Sequence, residues 1–361
     1  MKEFAKKNIL EIKPYIPGRP IEEVKRQLGL KEVIKMASNE SPFGPSPKVL
    51  KTIAGAAKDI NRYPDGNCFY LRRALAKKLS VDPLQLIFGN GSDEIIVMAT
   101  KVFVEKGDDV IIAKPSFLIY EIASQIAGAK IKFIPLNNFQ YDLEGMKKAV
   151  TGRTKIIFIG NPDNPAGTYV TARQVDAFLK GIPKRVLVFF DEAYFEFVAQ
   201  KDYPDTIRLL KRYPNILVTR TFSKMYGLAG LRIGYGVARK EIVSLLDRVR
   251  EPFNVNSLAQ AAALAALGEG AYYRAAAKEI ARGKIFLYAH LRRMKLSFIA
   301  SATNFILIDV NQASFPISQA LLKKGVIVRD MGVWGLKSFI RVTIGSLKEN
   351  KKFIQALEEV L

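Results

Sequence analysis

The apolar positions of this chain fall into two alternating rhythms through its first two thirds. Short unbroken apolar or β-branched runs stand at Leu86–Phe88, Asp109–Ala113, Lys130–Pro135, Lys155–Ile159, Val186–Phe190, Ile216–Thr219 and Arg232–Val237. Their brevity and continuity predict strands buried on both faces. Between most of them apolar residues recur at helical spacing, over Ser92–Val104, Phe117–Ala127, Leu143–Val150, Ala172–Leu179 and Thr206–Arg212. Strand and helix in alternation predict a mostly parallel sheet with helices on both sides, a three-layer α/β/α domain.

The two ends of the chain read differently. After a charged start comes the turn-rich Lys13-Pro-Tyr-Ile-Pro-Gly-Arg-Pro20, then a helix over Ile21–Leu28 stopped by Gly29. Ile34–Ala37 is strand-like, and the prolines of Ser38–Pro47 end it. A helix from Pro47 toward Ala57, a turn at Arg62–Gly66 and a helix carrying Leu71, Leu75 and Leu79 follow. The last third has one long helical region, Ser257–Leu291, then strands at Phe305–Ile308, Val326–Val328 and Ile340–Thr343, and a closing helix over Leu347–Val360. This predicts a smaller α+β domain made of residues 1–40 and 257–361, beside a large domain over 41–256.

Composition adds bounds. With 361 residues, 49% hydrophobic and 25% charged, the chain is an ordinary globular protein long enough for two cores. Its single cysteine, Cys68, excludes an internal disulfide and suits a reducing cytoplasm. Met1–Lys7 has no apolar stretch of signal-peptide length, and no apolar run reaches membrane-spanning length. The formal charge of +22 is scattered in single and paired residues interleaved with acids, without a basic run or zinc-finger spacing. It reads as solvated surface with some steering of anionic small molecules; it gives no support to nucleic-acid binding.

The candidate chemistry lies where strands end. Lys224 stands between hydroxyl-bearing residues and small ones, in Arg220-Thr-Phe-Ser-Lys-Met-Tyr-Gly-Leu-Ala-Gly-Leu-Arg-Ile-Gly-Tyr235. A lysine partly desolvated or near other positive charge offers a free amine near neutral pH. Thr221, Ser223 and Arg232 are groups that would hold a phosphate beside it. Asp191 follows the strand Val186–Phe190, where α/β sheets put ligand-binding residues; it would either face a cationic ring nitrogen or cap a turn. Asn161–Thr168 is a rigid loop able to aim the Asn164 amide. Gly89–Glu94 opens a helix whose first N–H groups would bind an anion, or would simply be capped by Ser92. Phe117 would stack on a flat ligand or join the core. His290 is the only histidine, so a histidine triad or histidine metal cluster is excluded and proton transfer falls to Lys224.

Ser223-Lys224 followed by Arg232 resembles the pyridoxal-phosphate lysine motif of fold-type I transferases. With Pro14–Pro20, Met36–Gly44, Tyr63–Gly66, Asn90–Glu94, Asn161–Thr168, Asp191–Tyr194, Pro252–Asn256 and Arg341–Gly345 the chain resembles the class I/II aminotransferase family nearly end to end. The likeness is greatest to its branch acting on histidinol phosphate, a phosphorylated amino alcohol, with 2-oxoglutarate and glutamate as the other pair, in histidine biosynthesis. The resemblance implies Lys224 as carrier of pyridoxal 5'-phosphate, Asp191 at its ring nitrogen, Asn164 and Tyr194 at its ring oxygen, and Phe117 stacked on it. Asp93 would be a further coenzyme-binding residue, and Gly91, Ser92, Thr221, Ser223 and Arg232 would cradle the phosphate. Tyr63 would reach it from the partner subunit of a homodimer. Arg341 would bind the acidic group of the substrate, with Tyr15, Asn39 and Arg329 around it.

Three positions depart from the family pattern. Asp163 and Ala166 stand where Asn and Thr are commoner, and are expected to matter little because neither is carried over as a contact. Glu251 stands where an uncharged or basic residue is usual and bears on substrate preference. The rival activities on this scaffold are aromatic amino-acid transamination and threonine-phosphate decarboxylation, the latter disfavoured by the lack of a His-Gly-Gly entry motif. A coenzyme-sensing transcription regulator would need a DNA-binding module ahead of the family arm, which begins almost at residue 1.

Overall fold

The computed structural model describes residues 4–361, so the first three residues of the charged start lie outside it. Its strands are β1 (Ile34–Lys35), β2 (Leu86–Gly89), β3 (Asp109–Lys114), β4 (Lys130–Pro135), β5 (Thr154–Gly160), β6 (Leu187–Asp191), β7 (Ile216–Thr221), β8 (Gly234–Ala238), β9 (Phe305–Asp309), β10 (Val326–Ile327), β11 (Arg329–Asp330) and β12 (Phe339–Thr343). Seven form the large sheet, in the order β2-β8-β7-β6-β5-β3-β4. Within it β8 alone runs backwards, antiparallel to both β2 and β7. The other neighbouring pairs are parallel.

The unbroken apolar runs have the expected cause. Along β5 to β7, Ile157, Ile159, Val188, Phe190, Ile216 and Val218 enter one core. The alternate residues Ile156, Phe158, Leu187, Phe189 and Leu217 enter another on the opposite face. Helices 69–79, 172–180 and 257–267 supply side chains to the first core; 92–103, 118–126 and 240–247 supply the second. Each fully buried phenylalanine there contributes about 1.5–3 kcal/mol of burial.

The last third builds a three-stranded sheet, β11-β12-β9, covered by helices 270–293, 314–323 and 347–360. The last helix starts at a capping box in which Ser346 and Glu349 bond each other's backbone N–H. The N-terminal segment is stitched to this part by the parallel pair β1–β10.

Several expectations are corrected. The helical region 257–291 is two helices, 257–267 and 270–293, broken at Gly268 and Glu269. Helix 206–212 is only Thr206–Leu209. The segment expected as one strand over 326–328 serves two sheets: β10 pairs with β1, and past Val328 β11 pairs with β12. Arg232 precedes its strand, in left-handed backbone at φ 56°. The larger core also reaches beyond the expected boundary. Ala259, Ala262, Ala263, Ala266, Tyr273 and Ala276 pack in it, whereas Ile280 and Leu287 belong to the second core.

Candidate active site

The carboxyl ends of β2, β3, β5, β6 and β7 lie along one edge of the large sheet, and β8, being reversed, begins there. That direction change brings Arg232 to the edge occupied by Lys224. The loops leaving the edge line a cavity of about 310 Å³. Into it the fold brings Tyr15, Asn39, Ser92, Asp93, Phe117, Asn164, Asp191, Tyr194, Thr221, Ser223, Lys224, Arg232 and Arg341.

Lys224 Nζ donates to the Ser38 carbonyl at 3.0 Å. Burial, and then the charge of Arg341, lower its pKa to about 8. Part of the amine is therefore unprotonated near neutral pH, as a nucleophile or proton carrier requires. Asp191 closes β6 and points into the same cavity. Its Oδ2 accepts from the Tyr120 hydroxyl at 2.8 Å, and its Oδ1 from the Ala193 N–H at 3.1 Å. One oxygen thus makes the turn bond that a capping role predicts, but the other does not. All its donors are neutral, and burial pushes the carboxyl up to about 6. Above that pH it presents an uncompensated negative charge to whatever fills the cavity.

At one end of the cavity the groups suit an oxyanion. Helix 92–103 starts without a side-chain cap, leaving its first N–H groups free. Gly91 precedes it at φ +84°, and a side chain there would run into the Arg232 guanidinium. Arg232 Nη1 lies 3.5 Å from Ser223 Oγ, and its Nη2 is 3.6 Å from Asp93 Oδ2. Hydroxyls, a guanidinium and a helix N-terminus on one spot are donors matched to phosphate.

The opposite end belongs to the smaller sheet. Arg341 on β12 is buried; Nη2 donates to the Ala37 carbonyl at 3.0 Å and Nη1 to Asn164 Oδ1. Its Nε is buried without an acceptor, and an anion in the cavity would satisfy it. Asn39, held in left-handed backbone at φ 57°, donates through Nδ2 to Tyr194 Oη at 2.9 Å. Burial pushes the Tyr194 hydroxyl up to about 12, so it stays protonated.

A family model described as aminotransferase class I and II matches residues 31–357. The chain belongs to the class I and II aminotransferases. It is 48% identical to the histidinol-phosphate aminotransferase of Moorella thermoacetica, over 98% of this chain and 92% of that one. With the histidinol-phosphate aminotransferase of Caldicellulosiruptor saccharolyticus the identity is 46%, covering 98% and 99%. A crystal structure of histidinol-phosphate aminotransferase from Sinorhizobium meliloti, in complex with pyridoxal-5'-phosphate, superposes at a TM-score of 0.92 with 31% identity, covering 99% and 97%.

Three expected site residues of this aminotransferase lie outside the cavity wall. Gly91 is the N-cap of helix 92–103, against the Arg232 guanidinium. Arg329, beside Arg341 in the β11–β12 register, donates to the Ile16 carbonyl at 3.0 Å and lies over the Tyr15 and Trp334 rings. Tyr63 is 83% exposed and stacks on Phe253. Glu251 makes an exposed ion pair with Lys101 at 3.7 Å and does not line the cavity. Sequence reasoning missed Tyr120, whose place in an apolar helix reads as core, and the Ser38 carbonyl. It also missed Trp334, which crosses from the smaller part to donate to the Ser116 carbonyl at 3.0 Å. Only an aromatic in a glycine-bounded turn, Gly332-Val-Trp-Gly335, could have signalled it. Among the described residues no cluster of His, Cys, Asp and Glu suits a metal, and no helix is long and apolar enough to cross a membrane.

Proposed function

We propose that this chain binds pyridoxal 5'-phosphate and transfers an amino group between histidinol phosphate and 2-oxoglutarate. The observation that carries the reading is the cavity's polarity. A partly deprotonated amine, Lys224, and an uncompensated carboxylate, Asp191, sit between an oxyanion cradle and the open donor of Arg341. When bound, pyridoxal phosphate supplies a sink for the electron pair left as a proton departs the amino-bearing carbon. The chain's own residues do the rest. Lys224 Nζ carries the coenzyme and then takes and returns that proton. Asp191 keeps a positive charge on the ring nitrogen, and Phe117 walls the ring. Ser92, Thr221, Ser223 and Arg232 hold the phosphate.

Arg341 answers the need to accept two unlike substrates. Histidinol phosphate carries a phosphate and no α-carboxylate, whereas glutamate carries two carboxylates. A guanidinium offers paired bonds to either anion. A homodimer with Tyr63 of the partner subunit at the phosphate, and a cytoplasmic location, complete the proposal. Exposure of Tyr63, Phe69, Tyr70 and Phe253 supports the first; one buried free cysteine supports the second.

A survey of half-reactions tests it. Coenzyme-loaded protein is mixed separately with histidinol phosphate, glutamate, phenylalanine, tyrosine and threonine phosphate, and the visible coenzyme band is followed. Conversion by histidinol phosphate and glutamate is expected. Faster conversion by phenylalanine or tyrosine, or carbon dioxide release from threonine phosphate, would replace the reading. The decarboxylase outcome has a structural neighbour, the L-threonine-O-3-phosphate decarboxylase of Porphyromonas gingivalis, at 25% identity and a TM-score of 0.81 over 91% of this chain and 99% of that one.

A further inference from the structure

Asp163 departs from the Asn that is commoner in this loop, and it is 1% exposed. Its Oδ2 accepts from the Ala166 N–H at 2.9 Å, and its backbone N–H donates to the Thr168 carbonyl at 2.7 Å. These bonds fix the turn that aims Asn164 at Arg341. An asparagine would make the same turn through its amide oxygen. What the acid adds is a second, titratable oxygen, Oδ1, buried and facing the Tyr141 hydroxyl.

The oxygens nearest Oδ1 are phenolic. A Cβ on Gly160 would stand 3.6 Å from Asp163 Oδ1, 3.4 Å from Tyr120 Oη and 3.3 Å from Tyr141 Oη, so the three oxygens gather around one small residue. Tyr141 Oη accepts from the Gly160 N–H at 2.9 Å and lies 3.3 Å from Ser116 Oγ. The titratable or charged groups facing Asp163 are Tyr141 ahead of helix 143–148, Tyr120 on helix 118–126, Tyr194 after β6, and Arg341 on β12. Burial holds all three phenols above their ordinary range, so they are neutral near pH 7. The charges near this set are Arg341 and, one hydroxyl away through Tyr120, the Asp191 carboxylate.

We propose that Asp163 is a positioning residue whose ionisation sets how tightly the Arg341 end of the cavity holds an anionic substrate, the neutral acid favouring binding and the carboxylate opposing it. The proposal rests on the anion-binding role given above to Arg341. As a carboxylate, Asp163 offsets the guanidinium and repels the incoming anion; as an acid it does neither, and the turn survives in both forms. Burial lifts its carboxyl to about 7, which puts the change inside the working range of pH. At protein-interior screening, one such charge alters an anion's affinity by roughly three- to thirtyfold.

The test compares the coenzyme-loaded parent with Asp163→Asn, using glutarate, a dicarboxylate that cannot react and stays fully ionised between pH 6.5 and 8.5. Calorimetric titration should find that parent affinity falls at least threefold more than that of the variant across this range. The unfolding temperature gives a readout that needs no ligand. A folded carboxyl near 7 against about 3.9 when unfolded contributes stability present at low pH and lost as pH rises through 7. The asparagine variant should therefore gain on the parent at pH 8.5 relative to pH 6.5. Tyr141→Phe, which keeps the ring but deletes the facing hydroxyl, should move the parent's step to higher pH, and it serves if Asp163→Asn does not fold. Glutarate binding with parallel pH curves, or a step that Tyr141→Phe leaves in place, overturns the role of Asp163 alone. No glutarate binding at any pH overturns it together with the substrate class proposed for Arg341.

Discussion

Asp191 and Glu192 are neighbours at the end of β6, yet their carboxylates live in opposite worlds. Asp191 faces the coenzyme cavity and is held only by neutral donors. Glu192, 0% exposed, points the other way and binds Arg220 through Nε at 2.9 Å and Nη2 at 2.8 Å, with Thr206 and Tyr203 as further donors. Arg220 in turn lies over the Phe195 ring. A carboxylate paired with a guanidinium has its charge spent on structure. A carboxylate among hydroxyls and N–H groups is equally buried but keeps its charge for a ligand. Burial alone therefore does not mark a functional acid; the sign of its partners does.

The largest effect that would break this contrast is on stability. Glu192→Gln leaves the Arg220 guanidinium buried without its counter-charge and should cost about 3–5 kcal/mol of unfolding free energy. Turnover per folded molecule should stay near the parent's. Chemical denaturation checks the first, and activity normalised to bound coenzyme the second. A large rate loss at unchanged stability would reverse the assignment of the two acids.

Asp191→Asn should behave oppositely. The amide keeps the turn bond to Ala193 but cannot hold a positive ring nitrogen, so kcat should fall by roughly 10²–10³, while stability changes little. Stopped-flow half-reactions and a denaturation curve on the same sample separate the two.

The smallest effect sharpens the comparison by changing a neutral donor. Tyr120→Phe removes the hydroxyl that favours the ionised form of Asp191. The Asp191 pKa, already raised to about 6, should rise further. The acid limb of the rate profile then moves to higher pH, and activity lost at pH 6 returns as pH is raised. An unmoved acid limb would detach that limb from Asp191.

Much of this was legible in the chain. The inner strands of the large sheet were readable because both faces of each are buried, leaving apolar runs; the edge strand β4, with no fully buried residue, alternates Lys130-Ile-Lys-Phe133 instead. The helices that went unseen, 240–247 and 314–323, lack the signal that marks a start: neither has a side-chain cap bond. The second also carries Pro316, which reads as a breaker but sits in the first turn, where its missing N–H costs nothing. Lys224, Asp191 and Asn164 were legible because strand ends are where such a sheet exposes ligand-binding groups. Tyr120 and Trp334 were not, since each depends on what the fold sets opposite it. The two arginines divide the same way: Arg341 alternates inward on β12, while Arg329 turns to Tyr15, Trp334 and the Ile16 carbonyl.

The bonds that hold Asn39 also set a schedule for the protein's birth. Asn39 N–H donates to Thr343 Oγ1, and its carbonyl accepts from Asn304, so one wall of the cavity joins residues 304 and 265 positions apart. A ribosome adding roughly 5–20 residues per second needs about 15–60 s to travel between them. The large sheet, with Lys224, Asp191 and the phosphate cradle, is fully synthesised before Arg341 exists. The nascent chain thus has a period in which the Lys224 end of the cavity has been made and the Arg341 wall has not.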